Sequence, residues 1–182
     1  MENIMKKISV IALVLAFCMC FCLLAGCGAK DNKSNAPKGM KLASGENVDY
    51  CMYVPENWKV DKSDLYTSAY FSSGDATSIS VTAYGVGSEE ETVGDWWKKF
   101  EKEIGEVYKI SDVKETKAKL DGIKGSQYSF KGTLADNEYN FIITAILKDY
   151  YVYYITYTST PEYYEDHLEE LDQVIEAFEF KD

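Results

Sequence analysis

The run Phe-Ile-Ile-Thr-Ala-Ile-Leu at 141–147 is apolar at six of its seven positions. A strand turns successive side chains to opposite faces, so a run that is apolar in both phases has to be covered on both sides. An antiparallel sheet with one helix against each face provides that cover. The segments around the run fit such a sheet. Glu138–Lys148 and Tyr150–Ser159 read as two strands paired around Lys148-Asp149. "KETKAKL" and "GSQYSFKG" flank Asp121-Gly122, a strong hairpin signal. "LYTSAYF" and "TSISVTAY" meet at Ser73-Gly74-Asp75. Further upstream, "VDYCMYV" sets Val48, Tyr50, Met52 and Val54 on one side of a strand and Asp49, Cys51 and Tyr53 on the other.

Two segments carry the helical period instead. Val93, Trp96, Trp97, Phe100, Ile104 and Val107 follow it, with Thr92 as N-cap and Asp95 three residues on. The second helix is expected to open at Thr160, with Pro161 at its first position and Tyr164, Leu168, Leu171, Ile175 and Phe178 facing inward. The expected order is three strands, a helix, four strands, a helix and a short strand at Phe178–Phe180. The fold class is α+β, a three-layer α/β/α sandwich whose antiparallel sheet has about six to eight strands with a helix on each face.

Before this domain the chain has another character. Lys6 and Lys7 precede an apolar run from Ile8 to Ala25, which Leu24-Ala25-Gly26-Cys27 closes. A basic start, an apolar stretch and small residues before a cut make a secretory signal. The closing tetrapeptide resembles the lipobox of bacterial lipoproteins, which implies cleavage before Cys27 and a lipid on its sulfur. Residues 1–26 are therefore expected as signal peptide, 27–46 as lipidated cysteine and flexible linker, and 47–182 as the folded domain. The expected location is the bacterial cell membrane, lipid-anchored (a palmitate-bearing lipoprotein) and facing the extracytoplasmic side. Cys18, Cys20 and Cys22 leave with the signal, so Cys51 is the one thiol besides the anchor and no internal disulfide can form.

Charge narrows the partners. Cleavage would leave 156 residues with 29 acids against 17 lysines, and arginine occurs nowhere in the chain. Arginine supplies the bidentate fork for phosphates and guanine. An acidic chain without it is a poor fit to nucleic acid and is repelled by anionic headgroups, which leaves the lipid on Cys27 as the membrane link.

"YVPENWKV" near the start, a Thr-led helix with tryptophans midway, and "YYVYYITYTSTPEYYEDHLEELDQVIEAFEF" at the end resemble PsbP-related proteins over residues 47–182. That group is named after an extrinsic subunit of photosystem II and includes bacterial lipoproteins. The resemblance implies a PsbP-like fold and a non-catalytic accessory or binding role. It implies neither photosynthesis nor a metal site.

A search for chemistry agrees. His167 is the single histidine, and it is expected as a solvated residue of the second helix. Glu89-Glu90-Glu91 and the acidic helix face lack the spaced D-x-D-x-D-G pattern of a calcium loop. Cys51 has no histidine partner in sequence reach, and burial is expected for it. No phosphate loop, nucleophile elbow or dinucleotide fingerprint occurs. No cofactor, metal or catalytic residue is therefore expected. The fifteen tyrosines are expected to serve mainly strand packing.

Two function classes follow. One is an exported, lipid-anchored binding or accessory module whose partner is an envelope protein or polymer. Adjacent helix positions lie about 100° apart, so Trp96 or Trp97 is a candidate partner anchor; the other reading has both ring edges flanking one wide apolar stripe. The second class is an envelope hydrolase without a recognisable motif, or a small-ligand-binding lipoprotein.

Overall fold

Asp121 and Gly122 both have positive φ, 47° and 73°. A two-residue turn of that hand matches the twist of the strands it joins. It pairs β7 (Lys109–Leu120) with β8 (Ile123–Leu134), interrupted only by a bulge between Ser111 and Lys114. From there the chain continues antiparallel through β9 (Asn137–Lys148) and β10 (Tyr151–Ser159). Tyr151 pairs with Lys148, which moves the turn one residue beyond the expected place, to Asp149-Tyr150.

The computed structural model describes residues 36–61, 67–87 and 91–181. Earlier strands are β1 (Met40–Leu42), β2 (Tyr50–Cys51), β3 (Tyr53–Pro55), β4 (Lys59–Asp61), β5 (Thr67–Tyr70) and β6 (Ser78–Gly85). Seven strands form one antiparallel sheet in the order β4-β5-β6-β10-β9-β8-β7. Two small ladders stand outside it, β1 with β3 and β2 with β11 (Glu179–Phe180). Along β9 the expected double burial is present, since Phe141 through Ile146 are all buried.

Helix α1 (Val93–Ile104) starts where its cap specifies. The Thr92 hydroxyl accepts from the Asp95 amide, and the Asp95 carboxylate accepts from the Thr92 amide. Its inward rings meet β8 and β10: Trp96 lies 4.8 Å from Tyr154, and Trp97 stacks on Tyr128 at 3.9 Å with the planes 2° apart. Helix α2 (Leu168–Ala177) contributes Leu171 and Val174 to a cluster with Tyr50, Met52, Val54, Trp58, Tyr153, Ile155 and Tyr157. It begins later than expected. Residues 161–164 form turns and Glu165–His167 a 3-10 turn, while the Tyr157 hydroxyl donates to the Tyr164 carbonyl.

The expected linker also ends early. Met40–Leu42 pairs with Tyr53–Pro55, the Ala43 amide donates to the Met52 carbonyl, and the Met52 amide donates to Ser44 Oγ. Short polar composition concealed this segment, because three residues are too few to show a period. The described residues form one compact unit. Among the described residues no helix is long and apolar enough to cross a membrane. Cys27 and the apolar run Ile8–Ala25 lie outside the described residues.

Candidate functional site

The residues singled out as partner anchors are not at the surface. Trp96 and Trp97 are 2% and 6% exposed. The aromatic layer beneath α1 is wide enough for two rings side by side: Trp96 stacks on Phe100, and Trp97 packs on Tyr128 and Phe130. Both are core residues and no partner can reach their faces. Cys51 is a free, partly buried thiol. Of the acidic run, Glu89 and Glu90 lie outside the described residues; Glu91 pairs with Lys99 and accepts the Gly87 amide.

His167 is likewise not solvated. Its side chain is sealed between Asp75 Oδ2, 2.7 Å from Nε2, and Glu170 Oε2, 2.5 Å from Nδ1. The residue is 6% exposed, and the rings of Phe71 and Trp58 lie 4.3 and 5.6 Å from it. The bracket gathers distant segments. The Thr77 hydroxyl donates to Asp75 at 2.6 Å and lies 2.8 Å from Ser159 Oγ, while Trp58 Nε1 donates to Glu170 at 3.0 Å. Burial alone would lower the His167 pKa; the hydrogen bonds to Glu170 and Asp75 outweigh it and raise it above its ordinary value. For Asp75 burial acts upward, yet the hydrogen bonds from Thr77 and His167 hold its pKa below the usual range. Both ring nitrogens are thus engaged by carboxylates. With a carboxylate at each nitrogen and aromatic rings around it, the imidazole has no open side toward a substrate or a metal ion. Among the described residues no cluster of histidine, cysteine and acids is arranged to hold a metal ion. A sequence signal for this burial did exist, since His167 stands four residues before Leu171 and seven before Val174.

At the opposite end of the same strands the surface is aromatic. Tyr84, Tyr150 and Tyr151 are 41%, 51% and 47% exposed. The register separates them: Tyr84 lies opposite Val152 and so faces the Tyr154 side of the sheet, while Tyr151 lies opposite Gly85 on the Tyr153 side, 6.2 Å from the Tyr153 ring, next to Tyr150, whose carbonyl accepts the Val86 amide. Tyr150 has φ of 67° beside Asp149 at 48°, a left-handed pair that asparagine and glycine would fill without strain. A bulky residue in that region is an outlier, and such strain concentrates at binding sites. The strand tyrosines expected to serve packing thus divide. Tyr153, Tyr154 and Tyr157 are buried, while Tyr150 and Tyr151 face solvent. In Tyr154 burial pushes the phenol up to about 12, so it stays neutral.

With that geometry in view, the likenesses to known proteins can be placed. No family model matches the chain, and no curated protein matches its sequence. The solution structure of cyanobacterial PsbP from Synechocystis superposes with a TM-score of 0.58 at 13% identity, covering 86% of this chain and 98% of that one. The chain has a PsbP-like fold. A second likeness is to the Ran-binding protein Mog1p of Saccharomyces cerevisiae, with a TM-score of 0.55 at 10% identity over 79% of this chain and 96% of that one. At such identities the likeness concerns the backbone alone. In this PsbP-like domain the His167 bracket and the tyrosine corner are features of the chain's own side chains, at opposite ends of β6 and β10.

Proposed function

We propose that this chain is an exported, lipid-anchored protein of the cell envelope whose PsbP-like domain binds a partner and catalyses no reaction. The observation that carries the binding role is the corner of Tyr150 and Tyr151, adjacent and both exposed at a turn that keeps Tyr150 in a left-handed conformation. Tyrosine is enriched where proteins grip partners, because a large rigid ring with a polar tip costs little entropy to fix. Support for a non-catalytic role comes from His167, whose two nitrogens are engaged by carboxylates. The named structural likenesses, a cyanobacterial PsbP and a Ran-binding protein, are compatible with an accessory role.

We read the architecture as a three-layer α/β/α sandwich. Tyr154, which meets α1, and Tyr153 and Ile155, which cluster with α2, alternate along β10. Export and anchoring rest on Lys6, Lys7, the apolar run and Leu-Ala-Gly-Cys. Radiolabelled fatty acid should enter the wild-type protein and not Cys27→Ala, which should accumulate as precursor; a wild type without acyl chain on Cys27 removes the anchor. For binding, a photo-crosslinker at Tyr151 should give a discrete adduct in intact cells, lost on replacing Tyr150 with Ala. Failure to form any adduct would remove the tyrosine corner as the contact.

A further inference from the structure

Two surfaces of this chain carry charge of opposite sign, and neither is answered by an ion pair of its own. The first is the outer side of α2. Glu169, Asp172 and Glu176 stand three and four positions apart, which places them in one row on the helix. All three are exposed and make no ion pair among the described residues. Between Pro161 and Lys181 the chain has eight acids and one lysine, so the row has no cation at hand. Like charges at such spacings weaken a helix. The second surface is the β7–β8 hairpin. Lys119 stands directly opposite Lys124, and Lys117 follows two residues along, opposite Ser126. Residues in register share a face of a sheet, so the three ammonium groups lie on one side. They too are exposed and make no ion pair among the described residues. Glu115, the next residue on that face, is engaged: it accepts from Ser126 Oγ at 2.7 Å and from the Tyr128 hydroxyl at 3.0 Å. Like charges placed opposite each other weaken a sheet. Lysine on an edge strand deters strand addition, which accounts for Lys117 and Lys119 on β7. Lys124 lies on the inner strand β8 and has no such reason.

The fold keeps these two surfaces apart. Ser126 pairs with Ala145 and Ala145 with Tyr154, so the lysines lie on the side of the sheet that meets α1. Helix α2 clusters with Tyr153, Ile155 and Tyr157, on the other side. No change of rotamer can join them within one chain. Between two copies nothing separates them.

We infer that this protein associates with a second copy of itself, the lysine face of one copy lying against the acidic row of α2 in the next. The sizes agree. The row from Glu169 to Glu176 is about 10 Å long, and the lysines spread over roughly 7 Å along β7 and 5 Å across to β8. Each surface gains the counter-charge that its own chain withholds, and the repulsion within both is relieved. Because the two surfaces differ, the contact runs head to tail: it repeats from copy to copy, closing into a ring or continuing as a row. It uses neither Tyr150 nor Tyr151 and is independent of the binding corner. The net charge of −11 opposes approach at long range. A screening length of about 10 Å at 0.1 M salt removes most of that repulsion and leaves ion pairs in contact. Exposed pairs are individually weak, so three together make an association that shows at high protein concentration.

The test mixes full-length protein with a copy labelled in heavy nitrogen, in neutral detergent with micelles in excess over protein. A carbodiimide is then added, which joins an amine to a carboxylate in contact with it. Peptides of mixed isotope should link Lys117, Lys119 or Lys124 to Glu169, Asp172 or Glu176. Their yield should fall on the order of tenfold in about 1 M salt, where the screening length is about 3 Å. Sedimentation velocity supplies the second arm. Lys117→Glu/Lys119→Glu/Lys124→Glu and Glu169→Lys/Asp172→Lys/Glu176→Lys should each weaken self-association about tenfold or more. An equimolar mixture of the two variants should restore it, while Lys98→Glu/Lys102→Glu on α1 should match wild type. A wild type that stays monomeric at every concentration overturns the inference. So do mixed-isotope links confined to other surfaces, or a mixture that associates no better than either variant alone.

Discussion

A histidine with a carboxylate at each nitrogen ties stability to pH in a definite direction. The raised pKa of His167 means that its contribution is complete below the unfolded value of about 6.5 and is lost as pH rises through the folded value. Asp75, whose folded pKa is lowered, contributes fully above its unfolded value of about 3.9 and loses that contribution as pH falls through the folded one. Urea unfolding should therefore show a maximum between about pH 4 and 6.5, with an alkaline decline that His167→Gln flattens. A wild-type stability that does not change on the alkaline side would contradict the bracket. His167→Ala leaves two carboxylates facing each other with no proton donor between them and should cost about 3 kcal/mol or more. Tyr150 gives the opposite kind of residue-scale expectation. Tyr150→Gly relieves a left-handed conformation and should raise stability by about 1 kcal/mol, net of glycine's greater unfolded entropy. If the corner is the contact surface, the same variant should lose the Tyr151 crosslink.

Elements here are stabilised by what they cover. Ile143 is fully buried in β9, between a β8 neighbour, Tyr128, and a β10 neighbour, Thr156. Ile143→Ala should cost about 2–5 kcal/mol in chemical denaturation, as truncations in close-packed cores do; a loss below about 1 kcal/mol would mean that the strand's cover is loose. Trp97 tests α1 in the same way. Its ring lies flat on Tyr128, so Trp97→Ala should cost about 3–5 kcal/mol and lower the thermal midpoint. A Trp97→Ala protein of unchanged stability would return that ring to the list of surface anchors. Thr92 and Asp95 show how much of an element can be read locally, because both halves of the cap lie within four residues. The start of α2 could not be read so. Pro161 suits a helix start, but the Tyr157 hydroxyl takes the Tyr164 carbonyl and the bracket holds His167, so the regular helix begins at Leu168.

For the whole molecule, the segment before Asn47 is part of the structure. Ala43 and Ser44 satisfy the backbone of Met52, which is fully buried, so removing them leaves a buried amide and carbonyl unpaired. A chain started at Asn47 should lose about 2 kcal/mol and melt roughly 5 °C lower than one started at Ala36. Equal melting temperatures would show that β1 only rests on the surface. What the sequence determined alone were features whose cause lies within a few residues: the Asp121-Gly122 turn, the Thr92 cap, the two-faced apolar run of β9 and a sheet of about six to eight strands. Only the tertiary structure decided whether Trp96 and Trp97 face in or out, that His167 is sealed, and that Tyr150 and Tyr151 stay exposed. Periodicity reports a side chain's direction relative to its own strand or helix. Burial depends on what arrives from elsewhere, and the groups that close over His167 come from positions 58, 71, 75 and 170, brought together only by the folded chain.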